Sequence, residues 1–135
     1  MAYLWLDMSS WIFQARPDRY RLDTDLKVGK TDDWLATRYR ADMAPGDKVF
    51  FWQAGEKDKR GVYGVGKIEA APTQDDDGEY VVPVKVLKVL PTPVTSVDIG
   101  DQPLLKDLQI LQIPIGTNFK MTDEESKTLD QLLSG

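Results

Sequence analysis

The stretch GDKVFFWQAGEKDKRGVYGVGKI, residues 46–68, decides the fold. Asp47 to Gln53 carries β-branched and aromatic residues behind the Pro45-Gly46 turn signal, the composition of a buried strand. Arg60 to Ile68 repeats that composition, with Gly61, Gly64 and Gly66 set among Val62, Tyr63 and Val65. Between the two, Glu56, Lys57, Asp58, Lys59 and Arg60 are too polar to bury and form a hairpin tip. Glycine inside a strand weakens it and marks a sharp bend or the close approach of another backbone or a ligand. The hairpin therefore predicts one wall of a small, strongly curved sheet.

Upstream, Trp11 to Ala15 reads as a strand with Trp11, Phe13 and Ala15 on one face and Ile12, Gln14 and Arg16 on the other, ended by Pro17. Gln14 and Arg16 stand either at the strand's wet end or along a polar pocket. Asp18 to Lys30 is rich in charge, has room for one helical turn and is assigned no chemistry. Thr31 to Met43 predicts a helix: Thr31 as N-cap, Asp32 and Asp33 at the positive end of the dipole, and Ala44-Pro45-Gly46 as the stop. Its core stripe is Leu35, Tyr39 and Met43, and Trp34 in its first turn either walls a ligand site or closes the core's edge.

Downstream, Ala70 to Gly78 reads as a solvated loop whose acidic run, Asp75 to Asp77, lacks the alternate spacing of a calcium-binding loop. Tyr80 to Leu90 predicts a long strand with Val82, Val84 and Val86 on one face, Pro83 at an edge or bulge, and Pro91 and Pro93 as its end. Leu104 to Leu111 predicts a short helix, followed by the extended piece IPIGTNFKM. Thr122 to Leu133 predicts a closing helix with Thr122 and Glu125 as capping box and Leu129, Leu132 and Leu133 as its buried stripe.

The chain has 135 residues, 41% of them apolar, enough for one domain with a single core. It contains no cysteine, so no disulfide holds it, and no histidine, which removes the commonest metal ligand and general base. The opening MAYLWLDMSS is too short and too acidic for a signal peptide or a membrane span, and Met8 offers an alternative start. A cytoplasmic location with no membrane partner is the expectation. Net charge is −5, but residues 1–67 hold 12 Lys and Arg against 10 Asp and Glu, whereas residues 68–135 hold 5 against 12. All six arginines lie at or before Arg60, which predicts that a polyanion meets the first half, unless these arginines are simply solvated.

GVYGVG has its glycines in the wrong order for a dinucleotide fingerprint, and no phosphate-binding loop, nucleophile elbow or triad is present. No catalytic residue, metal site or cofactor is expected. What stands out is the supply of four tryptophans, whose flat faces suit the stacking of an unpaired base.

WIFQARPDRY, DDWLATRYR, PGDKVFFWQAG with RGVYGVGKI, and GTNFKMTDEE, in that order, resemble the landmarks of an EVE domain, of the PUA-like superfamily that includes the YTH readers. The resemblance runs from about Trp11 to the C-terminus and leaves residues 1–10 outside. It implies an α/β mixed fold, a partly closed β-barrel flanked by helices, and a noncatalytic reader that extrudes a modified base, such as 5-methylcytosine or a bulkier derivative, from DNA. It places Trp34 in the aromatic cage, with Gln14, Ala15 and Arg16 on the first-strand segment where many relatives carry a Lys-Ser-Glu-Pro run. Trp52, for which a place in the core is an equal alternative, joins Tyr39, Asn118 and Phe119 as the rest of the implied pocket, while the charge asymmetry of the chain predicts phosphate contacts at Arg38, Arg40, Lys57, Lys59 and Arg60. A restriction nuclease encoded nearby is the implied protein partner. The alternative is a small enzyme or binding domain on the same scaffold, similar to ASCH domains, acting on RNA or a free modified nucleoside.

Overall fold

The computed structural model describes residues 8–134; the readings that concern Met1 to Asp7 lie outside them. The elements are β1 (Ser10–Ala15), α1 (Leu22–Asp25), β2 (Thr31–Leu35), β3 (Lys48–Gln53), β4 (Gly61–Ile68), β5 (Thr73–Gln74), β6 (Tyr80–Thr95), α2 (Ser96–Gly100), α3 (Gln109–Gln112), β7 (Asn118–Met121) and α4 (Asp123–Ser134). The strands form one mixed sheet in the order β2-β6-β4-β3-β1-β7, with β5 pairing β6 off that path. Among the described residues only the β1–β3 pair is parallel; the remaining pairs are antiparallel.

The glycines of β4 let this sheet close up. A Cβ on Gly66 would stand 2.4 Å from the Lys85 carbonyl oxygen and 2.6 Å from the Phe51 ring, so only a residue without a side chain lets β6 and Phe51 approach this closely. Curling brings β2, at one end of the strand order, against the strands at the other. Trp34 on β2 meets Phe13 on β1 at a centroid distance of 6.0 Å, and the Asn118 side chain on β7 bonds to the backbone at and just beyond the end of β2. A partly closed barrel results.

The two faces of the strands build two cores. Trp11, Phe13, Phe51, Val82, Val84 and Val86 pack on the inner face with Trp34. Ile12, Phe50, Trp52, Phe119 and Leu129 pack on the outer face against the helices. The period-2 reading of β1 is thus met for Trp11, Phe13 and Ala15 against Ile12, while Gln14 and Arg16 belong to neither core. The capping box of α4 is also present: Glu125 N–H donates to Thr122 Oγ1 at 3.1 Å and Thr122 N–H to Glu125 Oε1 at 2.9 Å.

Three expectations are corrected. Thr31 to Met43 is not a helix: its first five residues are β2, paired with Lys85 to Val81 of β6, and a 3-10 turn at Arg40–Asp42 follows. Pairing buries Trp34 in the barrel and leaves Leu35, expected in the core, 42% exposed, while Tyr39 turns the chain in a left-handed conformation at φ 62°. Pro91 and Pro93 do not end β6, because Leu90 to Pro93 stand in a bulge between the Gly64–Val89 and Val62–Val94 pairs, where no ladder N–H is needed. Helical structure near Leu104 to Leu111 shrinks to α3, and Ser96–Gly100 forms an unforeseen short helix, α2, capped by Thr95.

Candidate nucleic-acid interface

A cavity of about 440 Å³ opens between the ends of β1 and β2, within the ~300–1,000 Å³ range of small-molecule sites. Trp34 borders it, backed by Phe13 at 6.0 Å and by Tyr20 and Phe51 at 5.5 Å each, so its indole is wedged between other aromatic rings. Asp33 and Leu35 flank Trp34, and Gln14, Ala15 and Thr117 supply the opposite side. Arg16 and Arg19 stand at the mouth on the turn that Pro17 and Asp18 create after β1, both exposed.

Buried hydrogen bonds hold this wall in place. Gln53 accepts from Leu22 N–H at 2.7 Å and donates from Nε2 to the carbonyls of Ala15 at 3.1 Å and Tyr20 at 3.2 Å. One side chain thus fixes the end of β1 and the segment that returns beside it. Tyr20 donates from its hydroxyl to Asp32 at 2.7 Å. Burial, aided by that carboxylate, pushes the Tyr20 phenol well above its ordinary range, so it is a neutral donor at physiological pH.

Of the eight implied pocket residues, Gln14, Ala15, Arg16 and Trp34 meet at this cavity. The other four lie elsewhere. Trp52 is 2% exposed in the outer core and borders a separate hollow of about 220 Å³ with Gln14 and Arg60. Phe119 is buried beneath the Arg38 guanidinium, 5.3 Å from its ring. Asn118, fully buried, donates to the Leu35 carbonyl at 2.9 Å and accepts from Thr37 N–H at 2.8 Å. Tyr39 packs on Trp11 at 6.0 Å and borders a broad hollow of about 600 Å³ where Asp107, Asp123 and Glu125 outnumber Lys120, a lining that disfavours a phosphate.

The predicted phosphate residues scatter over the surface. Arg38 donates to the Ile115 carbonyl at 3.1 Å, Arg40 lies over the Tyr80 ring at 3.9 Å, and Arg60 donates to Ser96 Oγ at 3.1 Å. Lys57 and Lys59 are exposed at the hairpin tip. Arg16 makes an exposed 3.6 Å pair with Asp18, a contact that competes weakly with a phosphate.

Arg19, Tyr20, Asp33, Leu35 and Thr117 reach the cavity although the sequence reading assigned them no role in a pocket. Pro17-Asp18 is the one local signal, a turn that sends Arg19 and Tyr20 back beside β1. Among the described residues, no group of three or more acidic side chains is placed to hold a metal ion, and no helix is long and apolar enough to cross a membrane.

The EVE domain family model matches residues 9–132. Among solved structures the chain is similar to protein Rpa0253 of Rhodopseudomonas palustris, with 22% identity, a TM-score of 0.77 and 94% of each chain covered. It is similar to human THYN1 in complex with 5-methylcytosine-containing DNA, with 15% identity and a TM-score of 0.72, covering 94% of this chain and 98% of that one. It is also similar to the YTH domain of Zygosaccharomyces rouxii MRB1 in complex with N6-methyladenosine RNA, with 13% identity and a TM-score of 0.57, covering 95% and 85%. These likenesses show the fold, a mixed curled sheet forming a half-barrel with a few helices. No curated protein matches the chain.

Proposed function

The chain belongs to the EVE domain family, and we propose that it is a noncatalytic reader that accepts an extruded modified base of DNA in the Trp34 cavity. The observation that carries the reading is the composition of that cavity: a buried-backed indole, polar groups beside it and two exposed arginines at its mouth. An indole face stacks on any base and contributes roughly 1–3 kcal/mol per base. Asp33, a carboxylate next to Trp34, accepts from an exocyclic amine, which favours cytosine or adenine over thymine, whose corresponding group is an acceptor. Arg16 and Arg19 take the flanking phosphates, with Arg38, Arg40, Lys57, Lys59 and Arg60 along the strand farther out. The likeness to human THYN1 bound to 5-methylcytosine DNA supports 5-methylcytosine or a bulkier cytosine derivative as the base. A nuclease encoded nearby is the proposed user of the signal, in the cytoplasm.

Binding of one oligonucleotide series tests this: duplex DNA with cytosine or 5-methylcytosine at one position, RNA with adenosine or N6-methyladenosine, and the free nucleosides. Preference for methylated DNA by about fourfold, the effect of burying one extra methyl group at ~0.8 kcal/mol, is the expected result, since stacking itself is common to both bases. Binding of free nucleosides alone overturns the reader and leaves the small-molecule domain. Equal binding of modified and unmodified strands overturns the base pocket.

A further inference from the structure

Residues 113–117, Ile-Pro-Ile-Gly-Thr, form a loop beside the cavity that bares two large apolar side chains, Ile113 at 65% and Ile115 at 75% exposure. Neither fills a core, yet the loop is firmly held. Gln14 Nε2 donates to the Gly116 carbonyl at 2.8 Å, Gln14 N–H to the Thr117 carbonyl at 2.8 Å, and Arg38 to the Ile115 carbonyl at 3.1 Å. Ile115 N–H donates back to the Ile113 carbonyl at 2.8 Å, which makes the tip a tight turn. Exposed apolar side chains on a tied-down loop mark a contact surface more than a defect of packing.

The loop's place says what that contact is. Ile115 borders a hollow with Gln14, Arg16 and Thr117, the same three residues that border the Trp34 cavity, so the apolar tip, an arginine and the base pocket are continuous. We propose that Ile113 and Ile115 form a wedge that enters the base stack of a duplex beside the extruded base, while Arg16 holds the phosphate next to it. The inference rests on the reader function and deepens it: the substrate is a paired duplex, whose base must be taken out of the stack before Trp34 can receive it. Unstacking a base step is costly, and proteins that do it insert apolar side chains to fill the gap. A single strand presents no such gap, so the wedge makes no contribution there.

The test compares the wild type with an Ile113→Ser/Ile115→Ser variant on one 5-methylcytosine oligonucleotide, offered as a duplex and as a single strand. The variant should melt like the wild type, lose about tenfold in affinity for the duplex and bind the single strand unchanged. A 2-aminopurine placed beside the modified base should brighten with the wild type and stay quenched with the variant. Ile115→Leu, which keeps an apolar tip, should retain most of the duplex affinity. Equal loss on both substrates, or loss on neither, overturns the wedge and leaves the pocket standing. If the wild type binds neither substrate, the pocket reading fails and takes the wedge with it.

Discussion

Asn118 joins the two edge strands of the barrel: its Nδ2 donates to the Leu35 carbonyl at 2.9 Å, and its Oδ1 accepts from Thr37 N–H at 2.8 Å. The side chain is fully buried and spans 83 residues of sequence to reach Leu35. Asn118→Ala should cost about 1–3 kcal/mol, the penalty for buried groups left without partners. Asn118→Asp should also destabilise, because it keeps the acceptor for Thr37 and sets an oxygen against the Leu35 carbonyl. Thermal melting of both variants checks this; unchanged melting of either would show that the edges close without the clasp.

Trp34 is both core and pocket wall, so cutting it to alanine confounds two effects. Trp34→Ala should lose about 3–5 kcal/mol of stability along with its binding. Trp34→Leu keeps apolar volume against Phe13, Tyr20 and Phe51 but removes the flat face. It should fold, and it should lose about tenfold in affinity for the preferred modified oligonucleotide. Full binding by a folded Trp34→Leu would remove Trp34 from the site.

Arg16 and Arg19 should act on phosphates and not on bases. Arg16→Gln or Arg19→Gln should weaken modified and unmodified strands alike and lower the salt slope of binding by about one. A loss confined to the modified strand would place the arginine on the base instead.

Gly66 and Gly100 should respond to alanine in opposite directions. At Gly66 the new Cβ meets the Lys85 carbonyl at 2.4 Å and the Phe51 ring at 2.6 Å, and overpacking of this kind costs about 1–3 kcal/mol or more. At Gly100, in α2, nothing lies within 4 Å, and alanine should stabilise by about 0.4–1 kcal/mol. Denaturant midpoints of the two variants are the measurement.

The Tyr20–Asp32 hydrogen bond should be visible in alkaline unfolding. Because burial raises the Tyr20 phenol in the folded state, the unfolded chain releases that proton first, from about pH 10 upward. Stability contributed by Tyr20 is therefore complete below that pH and falls as pH rises further. Tyr20→Phe should be less stable than the wild type at neutral pH, and the gap should narrow above about pH 10. A gap that is constant with pH would mean that Tyr20 titrates as it does in the unfolded chain.

The central hairpin, β1 and α4 were determined by the sequence alone, because each is specified by neighbours in the chain. Pro45-Gly46 and the charged tip bound two β-branched runs, alternation sorts Trp11 and Phe13 from Ile12, and Thr122 with Glu125 caps a helix within one turn. The tertiary structure decided Thr31 to Met43 against its local signals. Thr31, two aspartates and apolar residues at helical spacing favour a helix, yet antiparallel pairing of Thr31–Leu35 with β6 buries Trp34 among Phe13, Tyr20 and Phe51, and that long-range burial outweighs a weak local preference. The same distinction runs through the candidate site. Gln14, Arg16 and Trp34 were assigned to a pocket by the family resemblance, their residue types alone leaving a core or wet-end place open, whereas Arg19, Tyr20, Asp33 and Thr117 reach the cavity only because curling and the Asn118 clasp bring β1, β2 and the approach to β7 together, a closure set by contacts about 80 residues apart.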